Sequence, residues 1–435
     1  MVGEGYTNWP FAEVIDFQEG PGILAKDFRE EGVPLVRLAG LDVGASVLNG
    51  CNYLDPEMVA KKWSHFALKE GDILLSTSAS LGRVAVVGPE GVGAIAYTGI
   101  IRMRPRDQRV FAPFIRYLLA SSDFQHQVEA AGVGSVIKHF GPMHLKNMSV
   151  NLPTPEEQRA IAHILGTLDD KIELNRRMNE TLEATARAMF KSWFVDFDPV
   201  RARMNGEPPE SICQRLGPTL DLLALFPDGL VDSEIGEIPR GWGIGTVDSE
   251  FNLTMGQSPP GSTYNETSEG LPFYQGRTDF GFRFPTQRVF CTEPTRFANI
   301  GDTLISVRAP VGDINMAAER CCIGRGVAAA RHKSDSRSYT YYFMQEMEDV
   351  FNRFEADGTV FGSISKKDFH NIQRVVPPAQ VIAKFESLIM PIDEKVFATE
   401  RESRNLVILR DTLLPKLLSG DLRVLQADTV MGAIT

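Results

Sequence analysis

Cysteine is scarce in this chain: five residues in 435, at positions 51, 213, 291, 321 and 322, an odd set without any C-x-x-C spacing. That excludes a disulfide framework and gives no signal for a thiol-built zinc site, so reduced, partly buried thiols are expected. Long apolar runs are missing too. No stretch approaches the roughly 18 uncharged residues of a membrane span, and the opening MVGEGYTNWPFAE has neither the basic nor the apolar region of a signal peptide. No membrane partner and a cytoplasmic location are the expectation. Nor is positive charge in excess: 45 Lys and Arg stand against 56 Asp and Glu, a net charge of -11. A uniformly basic nucleic-acid-binding surface is thereby excluded. The acid excess is concentrated in residues 151–240, however, which leaves room for local basic faces on either side of it.

Reactive constellations are equally absent. There is no G-x-x-x-x-G-K-[ST] phosphate loop, no G-x-S-x-G elbow and no H-E-x-x-H among the seven histidines. Gly91-Val-Gly93-Ala-Ile-Ala96 fits a loose dinucleotide pattern, but Tyr97-Thr-Gly-Ile-Ile-Arg102 behind it reads as a strand where such a site needs a helix. Asp393-Glu394-Lys395 has nuclease-like residue types. An equivalent Asp169-Asp170-Lys171 lies on a matching helix, so solvated helix charges explain both better. Phe197-Asp198-Pro199-Val200 is only faintly like the Asp-Pro-Pro-aromatic loop of adenine methyltransferases, lacking the second proline and the aromatic that would stack on a flipped base. A non-catalytic chain without its own metal or cofactor is the expectation.

What the sequence does have is an ordinary globular composition, 43% hydrophobic and 23% charged, at a length that predicts two or three folded units. It also repeats itself. Gly32-Val-Pro34-Leu35 returns as Gly270-Leu-Pro272-Phe273, and Glu70-Gly71-Asp72-Ile73-Leu74-Leu75-Ser76 as Ile300-Gly301-Asp302-Thr303-Leu304-Ile305-Ser306. In both, Gly-Asp supplies a turn and the apolar run behind it suits a buried strand. Further on, Asn147 and Pro153 match Asn371 and Pro377, and the register then holds through a long helical pattern.

Each helical pattern carries the four-three spacing of a coiled-coil seam. The first runs Ile161, Leu165, Leu168, Ile172, Asn175, Asn179, Leu182; the second runs Phe385, Ile389, Ile392, Val396, Thr399, Ser403, Leu406. The natural partner of each seam is the other, and the polar pairs in the middle of both would fix register at some cost in stability. At about 40 residues each helix is about 60 Å long. The expected fold class is therefore α+β, with two mixed α/β domains in tandem repeat separated by two long antiparallel coiled-coil helices and related by pseudo-two-fold symmetry. The organisation follows as domain one (1–153), helix one (154–196), an extended proline-rich linker (197–240), domain two (241–376), helix two (377–422) and a tail (423–435).

Two reading units on one rod suit duplex DNA, because units about one helical turn apart, roughly 34–36 Å, meet the same face of the duplex. Since the domains have diverged while the helices kept register, each domain would read a different short sequence and the rod would set the gap. The candidate contacts are basic residues placed by charge and by equivalence. Arg102, Arg104, Arg325 and Arg331 lie in clusters around matching strands and suit phosphate contact. Arg277 and Arg308, in loops beside the repeated motifs, are positioned to reach guanine edges. Lys138, Lys366 and Lys367 precede each helix. Two rivals differ in class. A two-domain coiled-coil scaffold that reads no DNA would show no salt-dependent duplex binding, and a methyltransferase acting alone would bind S-adenosylmethionine.

The chain resembles the specificity subunits of Type I restriction-modification systems from about Trp9 to Leu422. The resemblance is carried by Pro153-Thr-Pro155-Glu156-Glu157-Gln158 and Pro377-Pro378 at the helix starts, and by Leu168-Asp-Asp-Lys-Ile172. It continues in Lys191-Ser-Trp-Phe-Val-Asp-Phe-Asp-Pro199, Gly236-Glu-Ile-Pro-Arg-Gly-Trp242 and Leu417-Leu-Ser-Gly-Asp-Leu-Arg423. Pro377-Pro378-Ala-Gln380 departs from the pattern by displacing the usual Glu-Gln pair. The resemblance implies two target recognition domains, each reading one half of an asymmetric bipartite site in double-stranded DNA. It implies antiparallel spacer helices on which two modification subunits dock, and restriction subunits beyond them. S-adenosylmethionine, ATP and Mg would reside on those partners.

Overall fold

The computed structural model describes residues 5–41, 44, 46–77, 82–131, 140–217, 219–356 and 362–423. The chain divides into two compact units, Met1–Arg176 with Arg401–Thr435, and Arg177–Glu400. Both contain a four-stranded sheet of the same order. In the first unit a four-stranded antiparallel sheet has the order Ile15–Glu19, Ile100–Pro105, Ile73–Ser76, Val84–Val86. In the second the corresponding order is Phe251–Met255, Val327–His332, Thr303–Ser306, Ile314–Met316. Each unit also closes its α/β part with a two-stranded ribbon, Thr7–Pro10 on Ser149–Leu152 and Gly243–Thr246 on Gln373–Val376, which joins the start of the domain to the strand just before the long helix. A smaller mixed sheet completes each, four-stranded in the first unit and five-stranded in the second.

The Gly-Asp motif shows why the repeat survives divergence. Gly71 and Gly301 take φ of +81° and +79°, a region other residues enter at a cost, and donate their N–H to Val87 and Ala317. The next residue is the anchor. The Asp72 carboxylate accepts the Lys69 N–H at 2.7 Å and that of Asp302 accepts the Asn299 N–H at 2.6 Å, capping the turn. The strands behind, Ile73–Ser76 and Thr303–Ser306, are buried throughout, and their last residues repeat one further bond: the Ser76 and Ser306 hydroxyls accept the N–H of Arg83 and Asp313, each at 2.9 Å. Gly32 and Gly270 are equally constrained, since a Cβ there would lie 2.2 Å and 2.1 Å from the Leu54 and Cys291 carbonyl oxygens.

The long helices span Pro155–Phe194 and Ala379–Ser419. Each contributes to both units. In the first unit Ile161, Leu165 and Leu168 share a core with Leu413 and Leu417, and Leu406 packs at its edge. In the second, Ala186, Phe190 and Trp193 share a core with Phe385, Ile389 and Val396, with Leu182 and Ile392 at the edge. The pairing is antiparallel in both, and Ile172 is half-buried. The polar seam residues find partners: Asn175 donates to Glu402 at 2.8 Å and Ser403 at 3.2 Å within the first unit, and the Thr399 hydroxyl donates to Asn179 within the second. Buried amides left unpaired would cost more than the bonds return, so this arrangement favours one register.

Two sequence expectations need correction. Residues 197–240 are not an extended connector: they fold into helices Asp198–Met204, Pro209–Leu216 and Leu220–Leu223 and a hairpin, Leu230–Val231 with Ile238–Pro239. Pro199 and Pro209 sit at helix starts, where a missing N–H costs nothing, and Val200, Ile212, Leu222 and Phe226 supply apolar anchors that a composition count overlooks. Nor are Asp169 and Asp393 solvated. Asp169 accepts the Tyr117 hydroxyl at 2.8 Å and pairs with Arg116 at 3.0 Å and Arg410 at 2.9 Å. Asp393 accepts the Tyr342 hydroxyl at 3.2 Å and pairs with Arg283 at 3.1 Å.

Arg283 is fully buried. It also pairs with Glu183 at 3.0 Å and stacks 3.8 Å from the Tyr341 ring centroid, so one guanidinium binds the second domain to both helices. Burial pushes the Asp393 carboxyl up from the ordinary carboxylate value, and Arg283 opposes that shift. Replacing Arg283 with Met would leave two carboxylates facing each other without a counterion. A loss of about 3–5 kcal/mol in denaturant unfolding of this unit is expected, with substantial recovery when Glu183→Gln and Asp393→Asn are added.

Candidate nucleic-acid interface

An arginine can grip a phosphate or a base edge only if its donors are not already filled by the protein. That test separates the basic residues nominated from sequence. Arg102 lies on strand Ile100–Pro105, is 7% exposed, and donates to Asp16 at 3.0 Å and Gln18 at 3.1 Å on the neighbouring strand. Arg104, two residues on, forks onto Asp72 of the Gly-Asp motif, one bond measuring 2.6 Å. Arg331 does the same in the second repeat, donating to Asp302 at 2.6 Å, to Asp335 at 2.6 Å and to the Ile300 carbonyl. Arg104 and Arg331 are thus repeat-equivalent counterions of Asp72 and Asp302. Their signal in the sequence was basic charge after a matching strand, which counterions and DNA contacts share.

Arg277, Arg308 and Arg325 behave differently. All three are exposed and line one cleft of about 360 Å³ in the second repeat, together with Gln275, Gly276 and Gly326. Arg277 opens a short 3-10 turn, Arg277–Asp279, and is held by Asp313 at 2.7 Å. Arg308 follows strand Thr303–Ser306, and its loop is fixed by backbone bonds, Ala309 N–H to Gly362 at 2.9 Å and Ile364 N–H to Val307 at 3.1 Å. Arg325 sits in the turn between strands Cys321–Ile323 and Val327–His332, its N–H donating to Ser258 Oγ at 3.2 Å. Among the described residues no carboxylate pairs with the guanidinium of Arg308 or Arg325. The segment fixed to Arg308 leads into helix Lys366–His370, whose first two lysines are exposed and, among the described residues, pair with no carboxylate. Lys138 lies outside the described residues.

In the first repeat a cleft of about 410 Å³ lies between the turn at Thr98–Gly99 and the start of helix Pro142–Lys146, lined also by Glu19, Thr77, Phe140 and His144. The residue types differ while the frame matches. Gln158 of the Pro-Glu-Glu-Gln motif, which composition did not mark, is the clamp behind this unit: fully buried, it accepts the Phe111 N–H at 2.8 Å and donates to the Arg109 and Pro153 carbonyls. In the second unit Glu386 has the comparable task, accepting three N–H groups at the start of helix Arg337–Gln345.

Among the described residues no group of three His, Cys, Asp or Glu side chains is placed to hold a metal ion, and no helix is long and apolar enough to cross a membrane.

Comparison with known proteins gives this duplicated frame its class. Residues 10–184 match the family described as the Type I restriction modification DNA specificity domain. The Methanocaldococcus jannaschii protein described as the MjaX specificity subunit of a type I restriction enzyme is 27% identical over 97% of this chain and 96% of its own. The HindI specificity subunit of Haemophilus influenzae is 25% identical over 82% of this chain and 87% of its own. The crystal structure of the S subunit of a Type-I restriction-modification system from M. genitalium shares the fold, with a TM-score of 0.59 over 96% of both chains at 18% identity. The chain is therefore a two-repeat protein whose residues 10–184 match the Type I DNA specificity domain, and along most of its length it is similar to specificity subunits of Type I restriction enzymes.

Two outcomes follow for stability. Arg331→Met strands Asp302 without its counterion and is expected to cost about 3 kcal/mol, whereas Arg325→Ala should stay within about 0.5 kcal/mol, both read from urea midpoints. His332, at the end of the same strand, has its imidazole pushed below the ordinary value of 6.5 by burial and by Arg374, against the pull of Glu250 3.5 Å away. The unfolded chain then takes up this proton first as pH falls. The contribution of His332 should be constant above about pH 6.5 and be lost as pH drops below it, and thermal melts of His332→Gln should lack that part of the acid decline.

Proposed function

We propose that this chain is the DNA-reading specificity subunit of a Type I restriction-modification complex, binding double-stranded DNA at an asymmetric bipartite site. Each repeat reads one half-site. The observation that carries this reading is one frame present twice, with the same turns, caps and sheet order, holding different polar groups in corresponding clefts. Such an arrangement changes what is recognised without changing how the recognising group is supported. The helices set the length of the unread spacer between the half-sites.

No chemical step is assigned to this chain. Methyl transfer to adenine belongs in this reading to two modification subunits that carry S-adenosylmethionine and dock on the long helices. DNA translocation and cleavage belong to restriction subunits that use ATP and Mg. The arginines lining the second cleft attract the phosphate backbone, and the fork of an arginine distinguishes guanine in the major groove.

Titration of a randomised duplex pool with the chain and co-expressed modification subunits tests this directly. Binding should weaken with added salt, log K falling by about 0.9 for each phosphate neutralised per unit of log salt, and methylated adenines mapped in the host genome should fall in a two-part motif with an unspecified middle. Absence of any duplex binding would favour a protein-joining scaffold instead. A tight calorimetric signal with S-adenosylmethionine for the isolated chain would show that it carries the methyl-transfer site itself.

A further inference from the structure

The two repeats can be compared position by position at their clefts. Arg277, Arg308 and Arg325 of the second repeat come from three separate segments, each anchored to a matched motif. The alignment of Gly270-Leu-Pro272-Phe273 with Gly32-Val-Pro34-Leu35 sets Arg277 against Ala39. The Gly-Asp motif sets Arg308 against Ser78, and the paired strands Val327–His332 and Ile100–Pro105 set Arg325 against Thr98. All three arginines are lost together. The nearby arginine of the first repeat, Arg37, is differently employed: its guanidinium lies 4.2 Å from the Tyr97 ring centroid and donates to Asn52 at 3.1 Å.

Within the second repeat the three arginines divide by partner. Arg277 is oriented by Asp313 and exposed, which suits a contact that positions the backbone of a duplex. Arg308 and Arg325 have open forks on loops whose backbones are hydrogen-bonded on both sides, so little ordering is needed before they bind. An open guanidinium fork on a fixed base is complementary to the paired O6 and N7 acceptors of guanine, a pattern that A·T pairs do not present. Between them, a Cβ at Gly326 would lie 2.4 Å from the Gln275 carbonyl oxygen, so only glycine lets this turn close onto the Gln275 wall of the cleft.

Resting on the DNA-reading function above, we propose that the second repeat reads a half-site containing G·C pairs through Arg308 and Arg325, and that the first repeat reads its half-site without arginine–guanine pairs at those positions. The recognition sequence is therefore unequal in kind between its halves, and the assignment of repeat to half-site follows from the placement of the arginine-dependent G·C pairs.

The test is selection from a randomised duplex pool by the chain with its modification subunits, as wild type and as Arg308→Ala, Arg325→Ala, Arg308→Lys and Arg325→Lys. Each alanine variant is expected to lose about 10- to 100-fold discrimination at one G·C position in one half-site, with the other half unchanged. The lysine variants keep the charge and the salt slope but lose the fork, and should relax the same position. Three results overturn the proposal: uniform weakening across all sequences with a smaller salt slope, which marks phosphate contacts; relaxation at A·T pairs alone; or effects spread over both half-sites. The parent reading fails separately, if the wild-type complex selects no two-part motif at all. Unchanged melting temperatures of the variants confirm that a lost preference is not lost folding.

Discussion

A mostly buried aspartate on each long helix is the point on which both units depend. Asp169 and Asp393 occupy equivalent places, and around each the α/β domain and both helices meet. In the first unit Tyr117 and Arg116 come from the domain and Arg410 from the opposite helix. In the second the domain sends Tyr342 and Arg283, and Arg283 reaches on to Glu183 of the opposite helix. A carboxylate out of water is costly unless its lone pairs are filled, so the partners must arrive together and in one geometry. That requirement makes each domain a fixed part of its stalk. A domain that rocked on its helix would carry its cleft out of position.

The same economy explains how the repeats diverged. Asp72 with Arg104 and Asp302 with Arg331 are interior fixtures, alike in both copies because each closes the turn that sets the sheet. The cleft residues are under no such demand. Arg277, Arg308 and Arg325 line the cleft of the second repeat, and the residues aligned with them in sequence, Ala39, Ser78 and Thr98, differ completely in size and charge, yet the four-stranded sheets keep their order. Rigid frame and free fingers are separate sets of residues, sometimes only a few positions apart, as with Arg325 and Arg331.

Much of the frame was legible from the residues alone. The Gly-Asp turns, the buried runs behind them and the seam positions follow from periodicity and from the few residues that tolerate positive φ. The connector was not, because proline and glycine content speaks of local stiffness and not of Ile212 or Phe226, whose burial depends on distant partners. The seam aspartates were misread as solvated for a similar reason: charge on a helix is usually wet, and only the tertiary arrival of Tyr117 or Arg283 makes it otherwise. Among the arginines, three of those nominated prove to converge on one cleft, while Arg102, Arg104 and Arg331 are spent internally. Sequence reports a charge, but its availability is decided by what stands beside it in space.

One consequence of the chain's path concerns its birth. The core around Ile161 and Leu165 is completed by Leu413 and Leu417, and the Tyr6 hydroxyl is bonded to the Leu417 carbonyl. At about 5–20 residues per second of synthesis, a ribosome needs on the order of 10–50 s to deliver that last strip after the first has emerged. Throughout the interval the newborn first lobe shows an apolar stripe to its surroundings. Synthesis halted before Leu413 would therefore harm the lobe made first, whose core closes only once the second long helix has been delivered.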